Sequence, residues 1–307
     1  MHDAMRSSPW RYAVALRLLQ AGCALLLLAQ ALLASPAWAG DAASLRARHE
    51  ALQEALRHNA FNRPLNIEST ETGDTLRGQV HAVLEHPFAT VRDALREPPR
   101  WCDILILPFN TKYCHAVKTA EGPALLMRIG RKADQPLESA YRLSFAFQSV
   151  AADTNYFESR LAASEGPIGT RNYRIIVSAI PLGPDRTFLS LDYSYGFGAT
   201  GRMAMQLYLS TVGASKVGFS PAPGGAGPQD YIGGMRGAVE RNAMRYYLAI
   251  DAYLDSLSVP EPQQLERRIQ LWFAASERYP RQLREMDRQT YVAMKRVEAQ
   301  RQQTLIE

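Results

Sequence analysis

The chain has 307 residues, of which 47% are hydrophobic, and a formal net charge of +5 at pH 7. A chain of this length can bury a large core in one domain, or in one domain with an appendage. The small basic excess is spread along the sequence, which argues against a nucleic-acid-binding protein.

The N-terminus has the parts of a bacterial export signal. Three arginines precede an apolar run over residues 18–35, and a small-residue cleavage sequence, Ala-Trp-Ala, ends at Ala39. We predict a cleavable signal peptide over residues 1–39, cut between Ala39 and Gly40, and therefore a periplasmic mature protein. An uncleaved membrane anchor is one alternative, and a lipoprotein attached at Cys23 is another.

The first elements beyond this signal are a helix, a strand and a second helix. Leucines at helical spacing predict a lead-in helix within residues 40–63. Residues 74–86 alternate between apolar and polar, which predicts a strand. Residues 87–99 begin with a proline and end at a double proline, which predicts a helix between them.

Cys102 and Cys114 are the two cysteines beyond the predicted signal. In an oxidising periplasm we expect them to form a disulfide, which the chain-entropy model credits with about 3 kcal/mol. Two unpaired thiols are one alternative. A metal site is another, and His115 next to Cys114 would be a third ligand. Such a site needs more ligands, however, and the sequence has no second cluster of histidine or cysteine to supply them.

Six further strands are predicted in succession. Gly, Pro, Asp or Asn separates most of them. In the two clearest, one face is apolar and the other is polar, which is typical of an antiparallel sheet with one face toward the core. The predicted strands cover residues 112–119, 124–131, 139–149, 155–163, 171–181 and 186–197.

Helical patterns dominate after the strands. A helix is predicted over residues 199–213, followed by a Gly/Pro-rich loop over 219–229. The longest predicted helix spans 234–257, carries a broad apolar stripe and ends before Pro260. The remaining residues, 258–307, are predicted to form a C-terminal extension of charged amphipathic helices.

This order of elements resembles the helix-grip fold of the START-like (SRPBCC) superfamily, which includes polyketide cyclase and lipid-transport proteins. The resemblance covers residues 64–257 and is one of element order, without a catalytic motif. It implies an α+β fold in which a curved antiparallel sheet of about seven strands wraps around the helix at 234–257 and leaves a cavity. The phrases "WCDILIL", "GTRNYRI" and "YSYGFG" are also similar to uncharacterised exported proteins of Gram-negative bacteria, a group that implies no activity.

The aromatic-rich face of the sheet must be covered, and a single helix covers only part of it. A solidly packed core is one outcome and an apolar ligand cavity is the other. Tyrosines at several inward positions favour the cavity. In a solid core leucine or isoleucine would pack more simply, because a buried tyrosine hydroxyl needs a polar partner. The predicted lining residues are Met127, Tyr141, Phe145, Phe147, Tyr173, Tyr193, Tyr195 and Tyr246.

Arg131 and Lys132 stand at the end of a predicted strand, near a turn, and are predicted to lie at the mouth of this cavity, where they would meet an anionic head group. An ordinary basic turn is the alternative. No inward pair of titratable residues is evident, so the sequence predicts no catalytic residue, and it predicts no metal site and no cofactor.

These features favour a periplasmic carrier that binds an apolar, lipid-like small molecule. One alternative is a cyclase or dehydratase-type enzyme that uses the same cavity. Another is an interaction module that acts through its C-terminal helices. Residues 263–307 are predicted to pack on the domain, form a homodimer or dock a partner, and a lipid-like ligand implies transient membrane contact.

Overall fold

The computed structural model describes residues 41–211, 213–224, 227 and 230–305. The predicted signal peptide and its cleavage point lie outside the described residues. No helix within the described ranges is both long enough and apolar enough to span a membrane.

An antiparallel sheet of eight strands forms the body of the protein, in the order β1-β2-β8-β7-β6-β5-β4-β3. Every neighbouring pair is antiparallel. The strands are β1 (Leu65–Thr72), β2 (Thr75–Leu84), β3 (Thr111–Thr119), β4 (Gly122–Ile129), β5 (Tyr141–Ala152), β6 (Phe157–Glu165), β7 (Thr170–Pro181) and β8 (Thr187–Phe197).

Among the strands that the structure describes, β1 is the one that the sequence analysis does not predict, and it raises the strand number from about seven to eight. Its apolar alternation consists of Leu65 and Ile67 alone, before the polar stretch "ESTET". The strand is held by its pairing with β2, with Thr72 opposite Thr75 across a tight turn in which Gly73 has a φ of 59°. This pairing is a tertiary feature that so short an alternation does not indicate.

Helices precede the sheet, interrupt it between β2 and β3, and follow it in sequence. The bounds of the longest helix agree with the prediction to within one residue, the predicted lead-in helix is divided into two, and the helix after the last strand ends at Ser210, before the predicted Gly213. The helices are α1 (Ala42–Ala51), α2 (Gln53–Arg57), α3 (Phe88–Leu95), α4 (Pro98–Leu105), α5 (Ala199–Ser210), α6 (Gly234–Ser256), α7 (Glu261–Glu277), α8 (Pro280–Leu283) and α9 (Arg288–Arg301).

The double proline at Pro98 and Pro99 begins a helix instead of only ending one. The predicted helix over 87–99 is correct for α3, but α4 starts at Pro98 and continues to Leu105. Proline at the first helical position removes an N–H that would have no partner there, so it is well suited to a helix start.

Helix α6 lies across one face of the sheet and contacts β1, β2 and β8. The approach is closest at Gly78 of β2, where an added Cβ would lie 3.0 Å from the Val239 carbonyl oxygen and 3.2 Å from the Ala243 Cβ. A curved antiparallel sheet around one long helix is the predicted helix-grip arrangement, and the α+β class is confirmed.

A disulfide joins Cys102 of α4 to Cys114 of β3, with the two Cα atoms 5.1 Å apart. Both cysteines are buried. The bond therefore fixes α4 to the edge strand of the sheet, and the predicted pairing is confirmed.

The C-terminal helices pack on the same domain. The Trp272 indole of α7 donates to the Arg245 carbonyl at 3.1 Å, and the Tyr291 hydroxyl of α9 donates to the Leu107 carbonyl at 3.0 Å. Trp272, Leu283 and Tyr291 are buried in the main core. Of the three arrangements predicted for residues 263–307, the structure shows the one in which they pack back on the domain.

Candidate functional site: the tyrosine cleft

Four of the predicted lining residues form an aromatic cluster between the sheet and α6. Alternation along β8 points Tyr193 and Tyr195 toward the same face, Tyr173 of β7 stacks on Tyr195, and Tyr246 projects from α6. The ring centroids of Tyr173 and Tyr195 are 5.2 Å apart, and those of Tyr193 and Tyr246 are 5.1 Å apart. Sheet and helix thus bring together residues from positions 173 to 246 of the sequence.

The predicted apolar lining residues lie on the same side of the sheet. Met127 of β4, with Phe145 and Phe147 of β5, is buried in the main core. The ring of Phe145 meets the edge of Tyr173 at a centroid distance of 6.4 Å. These three residues form the apolar wall behind the tyrosines.

The tyrosine cluster is not buried uniformly. Tyr193 and Tyr195 are buried, whereas Tyr173 and Tyr246 keep part of their surface exposed although they pack against the main core. Met205 and Leu209 of α5 are partly buried against the same core, and α5 contacts both α6 and β8. We give the name tyrosine cleft to this set of four partly buried residues that pack against the main core: Tyr173, Tyr246, Met205 and Leu209.

Burial favours the protonated form of these phenols still further. It raises the pKa of Tyr173, Tyr193, Tyr195 and Tyr246 above the ordinary value. All four hydroxyls are therefore protonated at neutral pH and can donate hydrogen bonds. The Tyr173 hydroxyl already donates to the Thr170 hydroxyl at 2.9 Å.

Tyr141 is the one predicted lining residue that the structure places elsewhere, because 51% of its surface is exposed. It is the first residue of β5 and pairs with Ile129, the last residue of β4. Alternation correctly puts it on the apolar face, but the strand begins where that face is no longer covered. The prediction that Tyr141 lines an enclosed cavity is therefore wrong.

The two predicted rim cations have different surroundings. Arg131 is exposed, and its backbone N–H donates to the Gln135 Oε1 at 2.6 Å. The Lys132 ammonium instead donates to the Glu285 Oε1 at 2.7 Å. Lys132 is thus part of an ion pair with the C-terminal extension, which corrects its prediction as a simple rim charge.

A group of charged residues surrounds this ion pair. The Arg245 guanidinium donates to the same Glu285 Oε1 at 2.6 Å, and the Arg241 guanidinium donates to the Val217 carbonyl at 3.1 Å. The Lys216 ammonium donates to the Arg284 carbonyl. We call the following set the cationic cluster: Lys132, Lys216, Arg241 and Arg245, with Glu285.

Sequence reasoning missed most of the cationic cluster as part of a site. The spacing of Arg241 and Arg245, four residues apart on a predicted helix, was the available signal, since it puts both on one face. Glu285 carries no local signal, because only the packing of the C-terminal extension brings it to Arg245.

Two surface pockets lie away from the tyrosine cleft. One, of about 640 Å³, lies among Phe61, Phe219 and Tyr279, and the other, of about 690 Å³, lies among His49, Arg63 and neighbouring residues. Neither pocket includes a predicted lining residue. Across the described part of the chain, no three His, Cys, Asp or Glu side chains are grouped so that they could hold a metal ion.

Neither a family model nor a curated protein matches the chain. Similar solved structures include norcoclaurine synthase from Thalictrum flavum in complex with dopamine and hydroxybenzaldehyde, at 14% identity over 47% of this chain and 88% of that one, with a TM-score of 0.31. A START superfamily protein from Mycobacterium smegmatis shares 16% identity over 46% of this chain and 90% of its own, with a TM-score of 0.31. Ara h 8.0201 shares 8% identity over 62% of this chain and 99% of its own, with a TM-score of 0.35.

Similarity this low transfers no activity, ligand or partner to this chain. The helix-grip fold is shown by the strand order, the antiparallel pairing and the position of α6.

Proposed function

We propose that this helix-grip protein is a periplasmic carrier that binds an apolar, lipid-like small molecule in the tyrosine cleft. One observation carries the proposal: Tyr173 and Tyr246 are only partly buried where they pack against the main core, and so are Met205 and Leu209 of α5. Removal of this apolar surface from water by a ligand would contribute about 25 cal/mol per Å². The phenol hydroxyls would orient any polar group that the ligand carries.

Helix α5 is the cover of the cleft in this proposal. Its inner residues Met205 and Leu209 are only partly buried, and its outer residues Met203 and Leu207 are 71% and 66% exposed. A helix that buries so little apolar surface is weakly held to the domain. It can therefore move aside for a ligand at low cost.

The exposed side of α5 also supports transient membrane contact. Met203 and Leu207 are exposed on α5, and the start of this helix contacts the 3₁₀ turn Pro167–Gly169, where Ile168 is 49% exposed. Exposed large apolar side chains near one another are typical of an interaction site. Phospholipid vesicles should co-sediment with the mature protein but not with a Met203→Gln, Leu207→Gln variant; equal co-sedimentation would refute this contact.

The proposed location follows from the predicted export signal and is supported by the disulfide. Disulfides form and persist in oxidising compartments such as the periplasm. The buried bond between Cys102 and Cys114 suits a protein that folds after export.

A neutral fluorescent probe tests binding. N-phenyl-1-naphthylamine brightens in apolar surroundings, and the mature protein should bind it in the tyrosine cleft. Leu209→Gln should weaken binding about tenfold, because it replaces apolar surface of the cleft with a polar group. The same substitution at the exposed Leu207 of the same helix is the matched control and should have no effect.

Circular dichroism and thermal unfolding must show that both variants remain folded. Equal affinities for the two variants, or no binding of the probe to the unaltered protein, would contradict the proposal.

A further inference from the structure

The surface pocket of about 690 Å³ lies where the lead-in helices α1 and α2 meet the turn between β7 and β8. Its apolar residues include Leu56 and Val83, which are buried, and Leu182, which is half-buried. No aspartate or glutamate is among the described residues that line it. We call it the lead-in pocket, and the polar residues on which its chemistry depends are His49, Gln53, Arg57, Arg63 and Arg186.

The three arginines of the lead-in pocket differ in their partners. The Arg63 guanidinium donates to both carboxylate oxygens of Asp251, at 3.0 and 3.2 Å, so its charge is already compensated. The Arg57 guanidinium donates to the neutral Gln53 amide at 3.0 Å. Within the described ranges, Arg57 has no carboxylate partner, and Arg186 has neither a hydrogen bond nor an ion pair. Arg57 and Arg186 thus bring two exposed positive charges to a pocket without a carboxylate.

Gln53 connects Arg57 to His49. Its Oε1 accepts from Arg57, so its amide nitrogen is the atom that donates to the His49 Nε2 at 3.0 Å. A ring nitrogen that accepts carries no proton, and His49 is therefore neutral in this arrangement. Burial lowers the pKa of His49; the charge of Glu50 opposes that shift, and the charge of Arg186 adds to it. Arg57, through Gln53, and Arg186 therefore both act on the same imidazole.

We propose that the lead-in pocket binds a phosphate monoester, whose terminal oxygens accept from Arg57 and Arg186 while its organic part lies against Leu56, Val83 and Leu182. A phosphate monoester carries about two negative charges on three acceptor oxygens. It can therefore occupy two guanidinium forks, whereas one fork satisfies a carboxylate. This site is separate from the tyrosine cleft and does not depend on the carrier function.

Three solutes with the same glycerol-derived body test the preference for phosphate. Calorimetric titration of the mature protein compares glycerol 1-phosphate, glycerate and glycerol. We expect glycerol 1-phosphate to bind at least about tenfold more tightly than glycerate, because it engages a second charge-assisted donor, and we expect no binding of glycerol.

The imidazole of His49 is a second readout, and it reports on the pocket itself. A phosphate bound at Arg57 and Arg186 adds negative charge beside His49, so its pKa should rise when glycerol 1-phosphate is present. Titration of the ring by NMR, with and without the ester, measures this shift. Glycerol should leave the pKa of His49 unchanged.

Charge removal connects both readouts to the lead-in pocket. Arg186→Gln should weaken binding of glycerol 1-phosphate about tenfold and reduce the shift that the ester causes at His49. In the absence of ester, the same variant should raise the pKa of His49, because the charge of Arg186 lowers it. Arg46→Gln, at an exposed position of α1 outside the pocket, is the matched control and should change none of these results.

Vesicles distinguish a soluble ester from a lipid head group that carries the same phosphate. Adding phosphatidate to phosphatidylcholine vesicles should increase co-sedimentation if the ligand is a lipid, and Arg186→Gln should abolish the increase. Tight binding of glycerol 1-phosphate without this increase assigns a soluble ester.

Several results would overturn the phosphate site and leave the carrier function intact. These are equal affinities for glycerol 1-phosphate and glycerate, and a phosphate affinity that Arg186→Gln does not change. A failure of both glycerol 1-phosphate and phosphatidate to bind would also overturn it.

Discussion

At the scale of single residues, two buried lysines share one buried carboxylate, and this contact is important for stability. Glu298 of α9 accepts from Lys112 at 3.0 Å through one oxygen and from Lys295 at 2.7 Å through the other. All three side chains are at most 1% exposed. Lys295 also donates to the Pro108 and Thr111 carbonyls, so this triad fastens the C-terminal helix to the start of β3.

Removal of the shared carboxylate should be costly. Glu298→Gln leaves two buried ammonium groups without their counter-charge, and we expect the free energy of unfolding to fall by about 3 kcal/mol or more. Glu266→Gln is the control, since Glu266 pairs with Arg296 on the exposed side of the same extension; it should cost less than about 1 kcal/mol. Urea unfolding compares the two, and equal losses would show that the triad is not a special contact.

The lysines also predict how stability depends on pH. Burial lowers the pKa of Lys132 and Lys295 to about 8, from an ordinary value of 10.5. Unfolded lysines stay protonated to about 10.5, so unfolding takes up protons between these values and the free energy of unfolding rises with pH. This gain is complete only above the unfolded pKa and is lost as pH falls through 8.

The buried tyrosines limit that rise. Burial holds the pKa of Tyr193 and Tyr291 well above 10.0, so unfolding releases their protons above about pH 10 and stability then falls. Urea unfolding in steps from about pH 7 to pH 10 should show increasing stability. A flat or falling profile over that range would contradict the assigned pKa directions.

Individual side chains show where sequence reasoning stops. Alternation identified Tyr193 and Tyr195 as inward residues because a strand has an exact period of two. The same rule placed Tyr141 on the correct face but could not show that the face is uncovered at the start of β5. The partner of Lys132 was unpredictable, because Glu285 is about 150 positions away in sequence.

At the level of elements, the strands were the most predictable. From β2 to β8 their predicted bounds agree with the structure to within a few residues, because one face is apolar and turn residues separate them. Strand β1 was missed because its apolar stretch is too short to stand out. Helix α4 was missed because a double proline was interpreted only as a stop.

The disulfide connects two of these elements and should stabilise the fold. A Cys102→Ala, Cys114→Ala variant should lose about 3 kcal/mol of unfolding free energy, since the open chain gains entropy when it unfolds. Urea unfolding measures the loss. A reductant should lower the stability of the unaltered protein toward that of the variant and leave the stability of the variant unchanged. Equal stability of the unaltered protein and the variant in the absence of reductant would contradict the prediction.

For the whole molecule, the grip architecture followed from element order alone, but the candidate site did not. The aromatic cluster of four tyrosines was predictable from β7, β8 and α6. The cover, α5, and the cationic cluster depend on how loops and the C-terminal extension pack, and local patterns do not encode that packing. The cleft is therefore assembled from parts of the chain that sequence reasoning treated as separate.

The central claim about the whole molecule is that an apolar ligand binds in the tyrosine cleft. The alternative is that the ligand enters one of the two surface pockets. An uncharged long-chain probe that carries a diazirine forms covalent bonds with its neighbours on irradiation, and peptide mapping by mass spectrometry then locates them. We predict labels on α5 and on the part of α6 around Tyr246. Labels concentrated instead around Phe61, Phe219 and Tyr279, or spread without preference, would contradict the tyrosine cleft as the binding site.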